Sequence, residues 1–189
     1  MSQLSVLYDA CVIYPMPLCD LLMQLAITKI YRARWSDDVH EEWMRTCRKL
    51  RPDIREDLLK RKRQLMDESV PDALVSNYNE LIPSLELPDQ NDRHILAAAI
   101  VGEANLIVTY NVKDFPQNKL EQWGIEAQHP DDFIADLLYL HKATVCWAIT
   151  TIRKRLINPS YTIEKYLQIL EKLGLHKTVA GLMKYSDIL

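Results

Sequence analysis

The chain has 189 residues and a mass of 22.0 kDa, the size of one ordinary domain with room for an appended subdomain. Its 48% hydrophobic and 26% charged residues exclude a disordered chain, and no run approaches the ~18 consecutive apolar residues of a membrane span. The net charge of −3 conceals an asymmetry: residues 32–63 carry 11 basic against 7 acidic side chains (+4), residues 64–141 carry 3 against 14 (−11), and residues 142–189 carry 8 against 3 (+5). An acidic middle between basic flanks suits a cation site with a polyanion around it; it equally suits solvated helix faces of unequal sign. The opening Met-Ser-Gln-Leu-Ser shows no basic-then-apolar pattern, so no secretory leader is expected. Cys11, Cys19, Cys47 and Cys146 are scattered, which fits reduced thiols in a cytoplasm better than disulfides or a zinc site.

Leu4–Tyr8 reads as a short buried strand that stops at Asp9. Pro15 and Pro17 break the chain before an apolar helix over Leu18–Ile27. Arg32–Trp35 forms a second short strand, and Ser36 caps a helix through Leu50 with Asp37 and Asp38 in its first turn. Pro52 opens a charged helix to about Asp67. A weak stretch, Ser69–Pro88, holds three prolines and one short helix. Asp89 precedes an alanine-rich helix over Asn91–Glu103, whose small residues suit close packing on a sheet. Leu106–Tyr110 is the clearest strand, apolar enough for burial on both faces as in a parallel sheet. A turn over 111–116, a short helix Gln117–Trp123 capped by Gly124, and a strand Ile125–Gln128 follow; Pro130 starts a helix through Tyr139. Beyond that the chain is helical: Thr144–Leu156, a break at Asn158-Pro159-Ser160, Thr162–Leu173, and Leu175–Tyr185 after Gly174. Alternation of strands and helices to about residue 140 predicts an α/β sandwich with a mainly parallel sheet, followed by a helical extension over 141–189.

Ligands of open α/β sheets gather beyond the carboxyl ends of the strands. Asp9 follows the first strand, Asn111 and Asp114 follow the Leu106–Tyr110 strand, Asp92 sits in the first turn of its helix, and Glu41 and Glu42 lie on the helix after Trp35. Carboxylates gathered there need a cation, and oxygen ligands suit Mg²⁺ or Mn²⁺. Taken singly, each acid has a plainer role. Asp9 and Asp114 serve as turn residues. Asp89 is a helix cap with Asp92 a first-turn acid, and Glu41 and Glu42 are partners of Arg45 or Lys49. His94, two residues after Asp92, is expected to point away from it around the helix.

Tyr8-Asp9-Ala10-Cys11-Val12, Trp35-Ser36 with Val39 and Glu42, Asp89-Gln90-Asn91-Asp92 with the run to Ala99, and Val108-Thr109-Tyr110-Asn111 with Asp114-Phe115-Pro116 together resemble the PIN-domain ribonucleases. Many members of that family are VapC toxins of bacterial toxin–antitoxin modules. The resemblance covers roughly residues 4–140. It implies a PIN-like three-layer sandwich over residues 1–140, and a catalytic, metal-binding quartet of Asp9, Glu42, Asp92 and Asp114 that holds Mg²⁺ or Mn²⁺. Asp89, Asn111, Thr109 and Glu41 would support it. The implied activity is hydrolysis of RNA phosphodiester bonds, with transfer or ribosomal RNA as candidate substrates, an antitoxin protein as partner, a homodimeric assembly and a cytoplasmic location. The helical region after Tyr139 exceeds what a minimal PIN domain needs.

Phosphate contacts would come from cations, with Arg45, Arg48 and Lys49 as one patch and Arg153-Lys154-Arg155 as another; both patches also read as ordinary charged helix faces. Tyr14, Trp35 and Trp43 are candidates for stacking an unpaired base. Three other readings compete: a receiver-type phosphoacceptor, a catalytically silent PIN-fold binding module, and a housekeeping or DNA-processing nuclease without an antitoxin. The receiver lacks support, because no acidic pair precedes Asp9.

Overall fold

The computed structural model describes residues 3–156 and 160–189. Five strands form one parallel sheet: β1 (Ser5–Tyr8), β2 (Arg32–Ser36), β3 (Leu74–Val75), β4 (Leu106–Val108) and β5 (Glu126–Gln128), in the order β3-β2-β1-β4-β5. Every pairing is parallel, so every link is a crossover, and helices surround the sheet. The central strands β1 and β4 are buried at every position, as their unbroken apolar runs require.

The order reverses between β1 and β4. From β1 the chain moves outward through β2 and β3, then returns to the other side of β1. The carboxyl ends of β1 and β4 therefore flank the point where the strand order reverses, the usual place for a ligand. Register fixes what meets there: Tyr8 pairs with Val108, and the Asp9 N–H continues the ladder to the Val108 carbonyl at 3.1 Å. Asp9 and Thr109 are thereby side by side.

Ten helices accompany the sheet among the described residues: α1 (Ala10–Ile13), α2 (Met16–Ile27), α3 (Asp37–Leu50), α4 (Glu56–Ser69), α5 (Arg93–Val101), α6 (Gln117–Leu120), α7 (Pro130–Leu140), α8 (Lys142–Arg155), α9 (Ile163–Lys172) and α10 (His176–Met183). Helix α3 begins where the sequence predicts. The Ser36 side chain accepts from the Val39 N–H at 3.3 Å, with Asp37 and Asp38 in the first turn and Arg48 and Lys49 in the last. It buries Val39, His40, Trp43, Met44 and Cys47 at helical spacing. Trp35 and Trp43 are fully buried, so neither is free to stack on a base; burial of large apolar side chains stabilises by about 1.5–3 kcal/mol each. Trp43 donates to His40 Nδ1 at 2.9 Å, which leaves His40 Nε2 to donate to Asp67 at 3.0 Å, while Trp35 donates to the same carboxylate at 2.8 Å. These bonds tie β2 and α3 to α4.

Several elements depart from the sequence-based expectation. Pro52 does not open α4; the helix begins four residues later, after Arg55. The proline-rich stretch contains the edge strand β3 as well as a 3₁₀ turn over Asn79–Ser84. The helix expected from Asn91 begins as a 3₁₀ turn, Gln90–Asp92, and becomes α-helical only at Arg93. Strand β4 ends at Val108, because Thr109 and Tyr110 turn toward β1 and the crevice. The break expected at Asn158-Pro159-Ser160 begins on residues that lie outside the described residues.

The C-terminal helices pack on the rest: α7 against α10 and α8, and α8 and α9 against α2. Asp131 of α7 is buried and caps α10, accepting the N–H groups of Lys177 and Thr178 at 2.8 Å each. No helix among the described residues is long and apolar enough to cross a membrane.

Ala97, Ala98 and Ala99 are fully buried where α5 packs on β1 and β2, and Gly102 follows against β3. A methyl group at Gly102 would lie 2.7 Å from a methyl of Val75 and 2.9 Å from the Ala98 carbonyl oxygen. Gly102→Ala is therefore expected to destabilise the fold by about 1–3 kcal/mol, overpacking outweighing the entropy gained by removing a glycine. Thermal unfolding reads this directly; an unchanged melting temperature would mean that β3 yields freely to the added methyl.

Candidate metal centre at the β1–β4 crevice

Asp9 is 6% exposed and held from several directions. Its Oδ2 accepts the Thr109 hydroxyl at 2.6 Å and the Cys11 thiol at 3.0 Å, and its Oδ1 takes the Cys11 N–H at 3.4 Å. Thr109 is fully buried and in turn accepts the Asn111 N–H at 2.9 Å. The β1 end and the loop after β4 are thus locked through one carboxylate and one hydroxyl. Burial, followed by the charge of Asp9, pushes the Cys11 thiol well above its ordinary range, so it remains an S–H donor to Asp9.

Asp92 lies at the junction of the 3₁₀ turn and α5, partly buried. Its carboxyl is pushed up to about 7, first by burial and then by the charges of Asp9, Asp89, Asp114 and Glu42. Asp9, Glu42, Asp89 and Asp114 therefore each lie within electrostatic reach of Asp92. Asp114 ends a 3₁₀ turn, Val112–Asp114, that follows β4. Asp89 and Asn111 are exposed. Asp89 caps the 3₁₀ turn through the Asn91 N–H at 2.9 Å.

Glu41 and Glu42 diverge. Glu42 meets His94 Nε2 at 3.4 Å and Arg45 at 3.3 Å. Glu41, expected as a support of the quartet, instead reaches α4 and pairs with Arg63 at 3.2 Å, because adjacent helical residues face different ways. His94 overturns another expectation: it faces the acidic rim across from Glu42. Burial lowers its pKa, but the Glu42 hydrogen bond and the charges of Glu42, Asp38 and Asp9 outweigh that and raise it overall. His94 and Cys11 are the two neighbours of the acids that the sequence reading did not place there. The cue for Cys11 was its position two residues after Asp9; His94 had none, because its partner is on another helix.

The cation patches are partly engaged elsewhere. Arg48 forms a bidentate pair with Glu56 at 2.7 and 2.8 Å. Arg153 donates to the carbonyls of Tyr161 and Leu189, and Arg155 to Gln24 at 2.9 Å. Arg45, Lys49 and Lys154 are exposed. Tyr14 is half-buried beside Trp43 and Leu173 in an apolar cavity of about 540 Å³.

No three His, Cys, Asp or Glu side chains among the described residues are drawn together tightly enough to hold an ion as they stand. The donor chemistry nevertheless fits a hard divalent cation: the groups around Asp92 are oxygen donors of one sign, and their charges add to the burial that raises its pKa.

The chain resembles known proteins in two segments. Residues 5–113 match the PIN-domain family model, and residues 130–184 match that of the VapC50 C-terminal domain. A curated protein of Mycobacterium tuberculosis (strain ATCC 25618 / H37Rv), "Putative ribonuclease VapC50", is 38% identical over 98 residues, which cover 52% of this chain and 57% of that protein. The match thus spans little more than half the length of this relative. No solved structure matches. With its five-stranded parallel sheet, its acids gathered at the β1–β4 crevice and a family match over more than half its length, the chain belongs to the PIN-domain family and carries a helical C-terminal region of the VapC50 type.

Proposed function

We propose that the protein is a divalent-metal-dependent endoribonuclease and the toxin of a type II toxin–antitoxin pair. The observation that carries this reading is the gathering of Asp9, Glu42, Asp89 and Asp114 around Asp92, whose pKa is pushed up to about 7 first by burial and then by their charges. The Mycobacterium tuberculosis relative carries the name of a ribonuclease, which supports that activity here. In this reading residues 1–140 are the nuclease unit and residues 141–189 the helical extension.

Asp9, Asp92, Asp114 and Glu42 would hold Mg²⁺ or Mn²⁺. A bound ion supplies a water of lowered pKa and neutralises charge on the phosphoryl oxygens. The chain's own residues then have separable tasks. Thr109 and Cys11 fix the Asp9 carboxylate by occupying Oδ2. His94 and Arg45 orient Glu42. Asp89 and Asn111 hold the rim on either side. Lys49, exposed on the same helix as Glu42, would meet the RNA backbone, and its contribution weakens with salt.

An antitoxin would cover the apolar groove between α2 and α4. Its two stretches, about 500 and 540 Å³, share Met16, Leu58 and Lys62, and Arg61 and Arg155 rim the first. Leu58 and Leu65 are exposed on α4 and Met16 and Ile27 on α2, the apolar faces expected for such a partner. A homodimer belongs to the same reading.

Two measurements test it. Cleavage of total and transfer RNA should require Mg²⁺ or Mn²⁺ and fall at least ~100-fold in Asp9→Asn and in Asp92→Asn. Equal activity in all three proteins would sink the proposal. The second is thermal unfolding without metal. An unfolded-chain aspartate titrates near ~3.9, whereas Asp92 in the fold titrates at about 7. The stabilisation from its protonated form is therefore complete at low pH and lost as pH rises through about 7. Metal-free wild type should melt lower at pH ~8 than at pH ~6, Asp92→Asn should flatten that slope, and Mn²⁺ should restore the wild type at the higher pH.

A further inference from the structure

We infer that Tyr110 is a positioning residue through which the C-terminal helices hold the acidic crevice in shape. This rests on the proposed metal-dependent reading of that crevice. Tyr110 follows Thr109, the residue that grips Asp9, and its own N–H donates to Cys11 Sγ at 3.3 Å, the thiol that grips the same carboxylate. Its side chain leaves in the opposite sense. The Tyr110 hydroxyl donates to the Leu173 carbonyl at 2.9 Å, at the corner between α9 and α10. Its ring packs edge-on against His129, with centroids 5.1 Å apart.

The corner itself is fixed. Gly174 adopts φ +79°, a left-handed turn that favours glycine. Asp131 caps the start of α10 three to four residues further on, and His129 Nδ1 accepts the Asp131 N–H at 3.2 Å. An unbroken series of contacts thus runs from Asp9 through Thr109 and Cys11 to Tyr110, and from there to Leu173, His129, Asp131 and α10. A hydroxyl bound to a carbonyl 63 residues away closes no hydrogen bond within the local turn at 109–114. What it does is fix the plane of the Tyr110 ring and, with it, the backbone of the two residues that set the Asp9 carboxylate.

The test uses the full-length chain and Tyr110→Phe, which keeps the ring on His129 and removes only the hydroxyl. Asp131→Asn loosens the same corner from its far side and serves as the second variant. Two quantities are read: Mn²⁺ affinity by titration calorimetry, and amide exchange at Cys11 and Asn111 without metal. Tyr110→Phe is expected to weaken Mn²⁺ binding three- to tenfold and to speed exchange at both amides by a similar factor, with exchange at the β2–β3 edge unchanged; Asp131→Asn should move both in the same direction. Unchanged exchange at Cys11 and Asn111 in both variants overturns the inference, as does unchanged Mn²⁺ affinity in a wild type that binds the ion. A wild type that binds no Mn²⁺ overturns the nuclease reading instead, and the exchange rates alone then decide the positioning role.

Discussion

Carboxylates repel one another, and this fold forces several of them into one crevice. The Asp9–Thr109 hydrogen bond is where that constraint begins. It joins the ends of the two central strands and sets one acid in a fully framed position, 6% exposed. The 3₁₀ turn before α5 then presents Asp92, α3 presents Glu42, and the turn after β4 presents Asp114. Burial alone raises the pKa of a carboxyl; here the charges of four neighbours add to it. Such an arrangement is unfavourable for folding, and proteins keep unfavourable arrangements chiefly where function requires them.

The fold was legible in the sequence wherever a local signal decided the structure. Ser36 with Asp37 and Asp38 is a cap written in adjacent residues, and α3 begins there. The run at 106–110 reads as a buried strand, and its first three residues form β4. Asp9, Asp92, Asp114 and Glu42 were legible as a set because strand ends and family motifs mark them. What escaped was set by partners distant in sequence. Strand β3 has two residues and exists because β2 offers an edge to pair with. Arg48 looked like a phosphate ligand until α4 brought Glu56 to it. His94 was expected to turn away from Asp92; no rule of helical spacing could reveal that α3 would bring Glu42 to meet it.

The C-terminal helices alter how the site is understood. A minimal PIN domain would end near α7. Here α8 and α9 pack on α2, α10 packs on α7, and the α9–α10 corner returns to the end of β4. The same corner contributes Leu173 to the wall of the apolar cavity beside Tyr14 and Trp43. One short connection thus borders the groove read as the partner surface and also touches the strand end that carries Thr109.

The strand order has a temporal consequence. Because β4 inserts beside β1 only after β2 and β3 have been made, Asp9 lacks its hydroxyl clamp until some hundred residues later in synthesis. The ribosome delivers the N-terminal acids first, as unassembled side chains on an incomplete sheet. The acidic rim is therefore complete only once the turn carrying Asp114 has emerged.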